Sequence, residues 1–106
     1  MTDETTNTPI SQRVKKSGHR LRDAQDALGI PSKVVEEMCR IPHSTYANWR
    51  AGNRPIDPFR IEPFCKYSGI TADYIFFGDK SRLPHDLVLK LEDLRRKNQV
   101  SNSAMT

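Results

Sequence analysis

Residues 28–52, LGIPSKVVEEMCRIPHSTYANWRAG, decide the fold of this chain. The apolar spacing predicts two short helices joined by a tight turn, one over residues 32–39 and one over 43–51. In the second helix Tyr46 and Trp49 are three residues apart, so they share one face that holds the helix on a core. The other face carries small and polar residues that are free to contact another molecule: His43, Ser44, Ala47 and Asn48.

The composition permits one small domain and mildly favours an anionic partner. The chain has 106 residues, of which 36% are hydrophobic, enough for a single modest core with unpacked ends. Lys and Arg number 17 against 13 Asp and Glu, which gives a net charge of +4. An excess of this size is compatible with phosphate binding, although it is also common in ordinary soluble proteins.

Targeting and membrane segments are not expected. The sequence has no run of about 20 apolar residues, which a membrane-spanning helix needs. Its first residues, MTDETTNTPISQRVKK, lack the apolar core of a secretory signal. Cys39 and Cys65 lie among apolar neighbours and are expected to be reduced and buried, as in a cytoplasmic protein.

The pattern divides the chain into four parts. We expect a flexible basic arm over 1–16, a helical domain over 17–80, a C-terminal helix over 81–97 and a flexible tail over 98–106. Within the domain, helices are predicted over 19–28, 32–39, 43–51, from 57 or 59 to 68, and from 71 to 77. Pro63 is awkward in the fourth of these, which either begins near Glu62 or is kinked.

Apolar positions in the remaining helices predict the core and one interface. Val34, Val35 and Phe77 are expected to face inward. Leu87, Leu91 and Leu94 form a stripe in the last helix at spacings of four and three residues. That stripe either covers the domain core or makes a dimer contact, and we favour dimerisation.

The residues provide no basis for catalysis, a metal or a cofactor. Cys39 and His43 are separated by a turn that contains Pro42, and no pair of His or Cys has the spacing of a zinc site. A glycine-rich phosphate loop and a nucleophile elbow are also lacking. We therefore expect a protein that is not an enzyme.

Residues 21–79 resemble the Xre, or lambda-repressor-like, helix-turn-helix family of phage and bacterial regulators. The resemblance needs no gaps. Its elements are Leu28-Gly29 at the end of a helix, Ser44-Thr45 and Trp49 in the recognition helix, Gly52 followed by a basic residue and proline, and the ending ITADYIFFGD over 70–79. Each element is weak alone, but their order and spacing together are specific.

The resemblance implies an all-α fold: a compact five-helix lambda-repressor-like helix-turn-helix domain with an additional C-terminal helix. The helix over 43–51 would enter the major groove of double-stranded DNA and that over 32–39 would cross the backbone. The implied base readers are His43, Ser44, Ala47 and Asn48, and the amide of Asn48 suits bidentate pairing with adenine. The implied phosphate contacts are Ser32, Lys33, Arg40, Thr45, Arg50, Asn53 and Arg54.

Three positions in and around the helix-turn-helix depart from the family pattern, and Pro58 and Pro63 make the fourth helix atypical. Ser32 stands where the family often has Gln, and Arg40 replaces the glycine of the turn. A left-handed Arg40 costs on the order of 1 kcal/mol. Arg50 stands where Glu is usual, so we expect the common ion pair with the first helix to be broken, with Gln25 facing Arg50 instead.

The resemblance therefore predicts a sequence-specific transcriptional regulator. A repressor is favoured, which would bind an inverted-repeat operator as a homodimer and regulate its own operon. It would act in the bacterial cytoplasm, with half-sites about 34 Å apart and no small-molecule effector. Two alternatives stay open. An antitoxin would bind a toxin through residues 84–106, and a protein-interaction module would use the fold without DNA.

Overall fold

The computed structural model describes the backbone of residues 9–104 and the side chains of residues 9–98. Residues 9–104 contain six helices and no strand, which confirms the all-α prediction. The helices are α1 (Ile10–Leu28), α2 (Ser32–Cys39), α3 (His43–Ala51), α4 (Pro58–Ser68), α5 (Ala72–Phe77) and α6 (His85–Ala104). Within this part of the chain, no helix is both long enough and apolar enough to cross a bilayer.

The first helix organises the core. It packs against α3, α5 and α6, while α2 packs against α3 and α4. At the crossing of α1 and α3 the two backbones are so close that a side chain at Gly18 would collide with the Trp49 carbonyl. The buried hydrophobic residues are Leu21, Ala24, Val35, Cys39, Ile41, Tyr46, Trp49, Ile56, Ile61, Phe64, Ile70, Tyr74, Ile75, Leu83, Leu87 and Leu91. They form one cluster to which all six helices contribute.

A short turn of residues 40–42 joins α2 to α3. Arg40 adopts the left-handed conformation, with φ 54° and ψ 49°, so the predicted strain at this position is present. The amides of Arg40 and Ile41 donate to the carbonyls of Glu37 and Glu36 at 3.3 Å and 3.0 Å. These bonds satisfy the free carbonyls at the end of α2 and set the direction of α3.

The ends of the chain are more helical than predicted. Residues 10–16, expected in a flexible arm, belong to α1, whose buried Ser17 donates to the Val14 carbonyl at 2.8 Å. The last helix continues to Ala104 through most of the expected tail because no proline or glycine interrupts it after Pro84. The predictions for residues 1–8 and 105–106 fall outside the described residues.

Several predicted side-chain positions are wrong. Leu87 and Leu91 are 2% and 7% exposed in the chain's own core, so they have no surface for a dimer partner, and Leu94 is half-buried. Spacing alone cannot distinguish a stripe that covers a core from one that contacts a partner. Phe77 is 79% exposed and Val34 is 40% exposed, although both were expected inside.

The fourth helix contains Pro63 in its interior. It begins at Pro58, capped by the Asp57 carboxylate, which accepts from the amides of Phe59 and Arg60. A start near Glu62 is therefore excluded. Because proline has no N–H, Pro63 cannot donate to the carbonyl one turn earlier, and the helix forms with one backbone bond fewer.

Candidate nucleic-acid interface

The outer face of α3 brings together the four residues predicted to read bases. His43, Ser44 and Ala47 are exposed and Asn48 is half-buried. The opposite face is fixed, because Tyr46 and Trp49 are buried in the core. The helix thus presents short polar and apolar side chains from a rigid base, as contact with an external surface requires.

His43 is tethered to α2. Its Nδ1 lies 2.9 Å from Oε2 of Glu36, with the imidazole 80% exposed and the carboxylate only 13% exposed. Glu36 is half-buried, and its carboxylate lies between α2 and the start of α3. This contact uses Nδ1 and leaves Nε2 free for an outside partner.

A buried hydrogen-bond network supports α3 from below. Gln25 of α1 is 4% exposed, and its Oε1 accepts from the Tyr46 hydroxyl at 2.7 Å. Its Nε2 donates to the Ile30 carbonyl at 2.8 Å and to Ser32 Oγ at 3.0 Å. Burial is the main cause that raises the pKa of Tyr46 far above its ordinary value, so the phenol stays protonated and keeps donating. One amide therefore connects α1, the start of α2 and α3.

Arg50 contributes to the same network. Its guanidinium donates to Ser32 Oγ at 3.3 Å and lies 3.6 Å from Oδ1 of Asp26 in α1. The expectation that Arg50 breaks the ion pair with the first helix is thus wrong, because Asp26 supplies the carboxylate. Gln25 does not face Arg50 directly, since the two side chains meet at the Ser32 hydroxyl.

The buried part of Arg50 leaves one donor unused. Its Nε is inaccessible to solvent and has no hydrogen-bond partner among the described residues. The guanidinium therefore has a structural position between α1 and α2, and the predicted phosphate contact by Arg50 would have to be made by its solvent-facing edge.

The other predicted phosphate contacts lie around α3. Four of them are exposed: Lys33, Arg40, Asn53 and Arg54. Ser32 and Thr45 are half-buried, and the hydroxyl of Ser32 already accepts two hydrogen bonds. The amides of Asn53 and Arg54 donate to the Asn48 carbonyl at 3.0 Å and 3.4 Å, which fixes this basic loop against the end of α3.

The starts of α2 and α3 suit anions. Pro31 and Pro42 precede them, and neither helix has a side-chain cap. By contrast, Asp57 caps α4 and Thr71 caps α5. An uncapped helix start leaves amide donors and the positive end of the helix dipole for an outside acceptor such as a phosphate oxygen.

Sequence reasoning did not identify the residues that support this face. Gln25 was expected only to face Arg50, while its bonds to Tyr46 and Ser32, the role of Asp26 and the pairing of Glu36 with His43 were not predicted. One signal was available for Gln25: it follows Leu21 by four residues and therefore lies on the inward face of a helix, where a polar residue needs partners.

Comparisons of this chain with models of protein families, with curated proteins and with solved structures found no match. We therefore infer a function from the residues of α2 and α3 and from their geometry.

Proposed function

We propose that the chain is a sequence-specific DNA-binding transcriptional regulator of the lambda-repressor-like helix-turn-helix type. In this proposal α2 and α3 are the helix-turn-helix, and α3 enters the major groove of double-stranded DNA. The chain acts as a repressor in a bacterial or phage setting, in the cytoplasm and on the nucleoid. It needs no cofactor and catalyses no reaction.

The observation that carries the proposal is the outer face of α3. Each group on it matches a feature of base edges: the Asn48 amide suits adenine N6 and N7, and Ala47 suits the thymine methyl. Nε2 of His43 suits a guanine acceptor when both ring nitrogens are protonated, since Nδ1 already donates to Glu36. Ser44 offers a hydroxyl that either donates or accepts. Because the buried face is held by Tyr46 and Trp49, little conformational entropy is lost when this surface binds.

Phosphate contacts would set the position of α3 on the duplex. Arg40 lies in the turn before α3 and Arg54 in the loop after it, so the two cations bracket the reading helix. Lys33 and the uncapped start of α2 add donors on the neighbouring helix. Contacts of this kind give affinity and register without sequence discrimination.

A homodimer on an inverted repeat remains part of the proposal, but its contact differs from the predicted leucine stripe. Leu87 and Leu91 are buried within the chain, so other apolar side chains must meet. Two large aromatic side chains of α4 are available, since Phe59 and Tyr67 are 84% and 69% exposed.

The test is a selection of genomic fragments followed by two substitutions. Asn48→Ala should relax specificity at one base position while preserving most non-specific affinity, whereas Arg54→Ala should weaken binding to all sequences alike. Lys66→Ala is a matched control, because this exposed lysine lies on α4 and pairs with Glu62. If neither Asn48→Ala nor Arg54→Ala changes binding, the assignment of α3 as the reading helix is wrong.

The two alternatives make different predictions. An antitoxin would bind DNA by the same helices but would also co-purify with a second protein held by residues 84–106. A protein-interaction module would show no salt-dependent affinity for DNA.

A further inference from the structure

A cavity lies away from α3, the proposed base-reading helix. It has a volume of about 490 Å³ and opens between α1, the end of α5 and α6. None of the residues assigned to the α3 interface lines it. Its size falls in the range of pockets for small organic ligands and exceeds what an inorganic ion needs.

The walls of this cavity are strongly cationic. Four basic side chains line it against a single carboxylate: Arg20, Arg22, Lys80 and Arg95 against Asp23. Arg22 NH2 lies 3.4 Å from that carboxylate, so the two partly neutralise each other. The other three cations have no carboxylate within ion-pair distance among the described side chains. A site of this composition favours an anion.

One of these cations is held in place by the fold. Arg20 NH1 donates to the Ile75 carbonyl at 3.1 Å near the end of α5. Its guanidinium also lies against Gly78, where a Cβ would come within 3.1–3.3 Å of its atoms. The carbonyl uses one of five N–H donors, so a positioned guanidinium edge is left for a ligand.

The phenol of Tyr74 also lines the cavity. Tyr74 is only 5% exposed, so packing fixes the position of its ring at the cavity. Its pKa is raised chiefly by burial and then by Asp23, and lowered by Arg20, so the hydroxyl lies near both charges. A phenol hydroxyl at this position can donate a hydrogen bond to an anion in the cavity.

We propose that this cavity binds a small phosphorylated organic molecule. The guanidinium groups of Arg20 and Arg95, with the ammonium of Lys80, receive the phosphate. Leu91 and Leu94 of α6 give an apolar surface for the organic part, and the Tyr74 hydroxyl supplies a hydrogen bond. A ligand in this cavity would contradict the expectation that the chain has no small-molecule effector. Binding to the cavity does not depend on the proposed DNA binding.

The test measures binding of four probes to the full chain by NMR titration in the absence of DNA. Adenosine monophosphate and ribose 5-phosphate are the phosphorylated probes, and adenosine and inorganic phosphate are the controls. We expect at least one phosphorylated probe to bind more tightly than both controls and to shift signals of residues around Tyr74. Arg95→Ala and Lys80→Ala should each weaken that binding about tenfold, the usual effect of losing one charged hydrogen bond.

A neighbouring arginine provides the matched control. Arg96 is exposed on α6 but does not line the cavity, so Arg96→Ala should leave probe binding unchanged.

The proposal is overturned if neither phosphorylated probe binds, or if Arg96→Ala weakens binding as much as Arg95→Ala. It is also overturned if Arg95→Ala weakens DNA affinity and no probe binds, because the basic wall would then belong to a DNA-contacting surface. DNA affinity is measured separately, so failure of the DNA proposal does not change the outcome of the probe titration.

Discussion

At the scale of single residues, the side-chain amide of Gln25 makes three hydrogen bonds that connect three helices or their ends. Its amide accepts from Tyr46 and donates to Ile30 and Ser32, all within 3.0 Å. It therefore couples the core to the geometry of α3 through directional bonds, which apolar packing alone does not provide.

Gln25→Leu should destabilise the chain by about 1–3 kcal/mol, because the buried Tyr46 hydroxyl loses its acceptor. Urea denaturation monitored by the fluorescence of Trp49 gives the free energy of unfolding. Tyr46→Phe is the matched control, since it removes the donor instead. In the double variant the destabilisation should be less than the sum of the two single effects. Strict additivity would show that the hydroxyl and the amide do not interact.

At the scale of elements, the turn between α2 and α3 combines backbone strain with a proposed phosphate contact, both at Arg40. Arg40 occupies a conformation with φ 54° that glycine adopts without cost. Arg40→Gly should therefore stabilise folding by about 0.5–1 kcal/mol and also weaken DNA binding, because a proposed phosphate contact is lost.

Gly29→Ala is the reference for this prediction. Gly29 has φ +68°, and a Cβ there would meet nothing within 4 Å, so the substitution adds backbone strain without a clash. It should destabilise by about 1 kcal/mol without weakening DNA binding per folded molecule. Thermal unfolding and DNA titration on both variants measure the two effects. If Arg40→Gly were less stable than the parent chain, the prediction that the left-handed backbone of Arg40 is strained would be wrong.

The elements also show what sequence reasoning can predict. The bounds of α2 and α3 were predicted correctly, since prolines precede both helices and Gly52 follows the second. The start of α1 was missed although Pro9 precedes it, and the end of α6 was missed because no glycine or proline marks it. The outer face of α3 was predicted from its contrast with Tyr46 and Trp49. The Gln25 network and the cationic cavity were not, because they join residues distant in sequence, and only the fold determines those distances.

At the scale of the whole molecule, burial in and beside the small core favours the neutral form of two thiols and two phenols. Burial is the first cause that raises the pKa of Cys39, Cys65, Tyr46 and Tyr74. For Cys65 the pKa rises from 9.0 to about 11, so the folded chain keeps a proton that the unfolded chain releases over this window. The contribution of this thiol to stability should be constant below pH 9 and be lost as the pH rises toward 11.

A substitution tests whether the Cys65 thiol causes the loss of stability at alkaline pH. Denaturation midpoints between pH 7 and 11 should fall less steeply for Cys65→Ala than for the parent chain, although the variant is less stable at pH 7 because a half-buried thiol is lost from the core. An equally steep fall in both proteins would contradict the role of the Cys65 thiol.

The whole molecule carries only a net charge of +4, so DNA binding must depend on where its cations lie. The most direct measurement of the proposed function is the salt dependence of DNA affinity for the parent chain and for Arg54→Ala. We predict that log K falls linearly with log salt concentration, and that the magnitude of the slope decreases by about 1 when the Arg54 phosphate contact is removed. Absence of DNA affinity at low salt, or an identical slope for Arg54→Ala, would contradict the account.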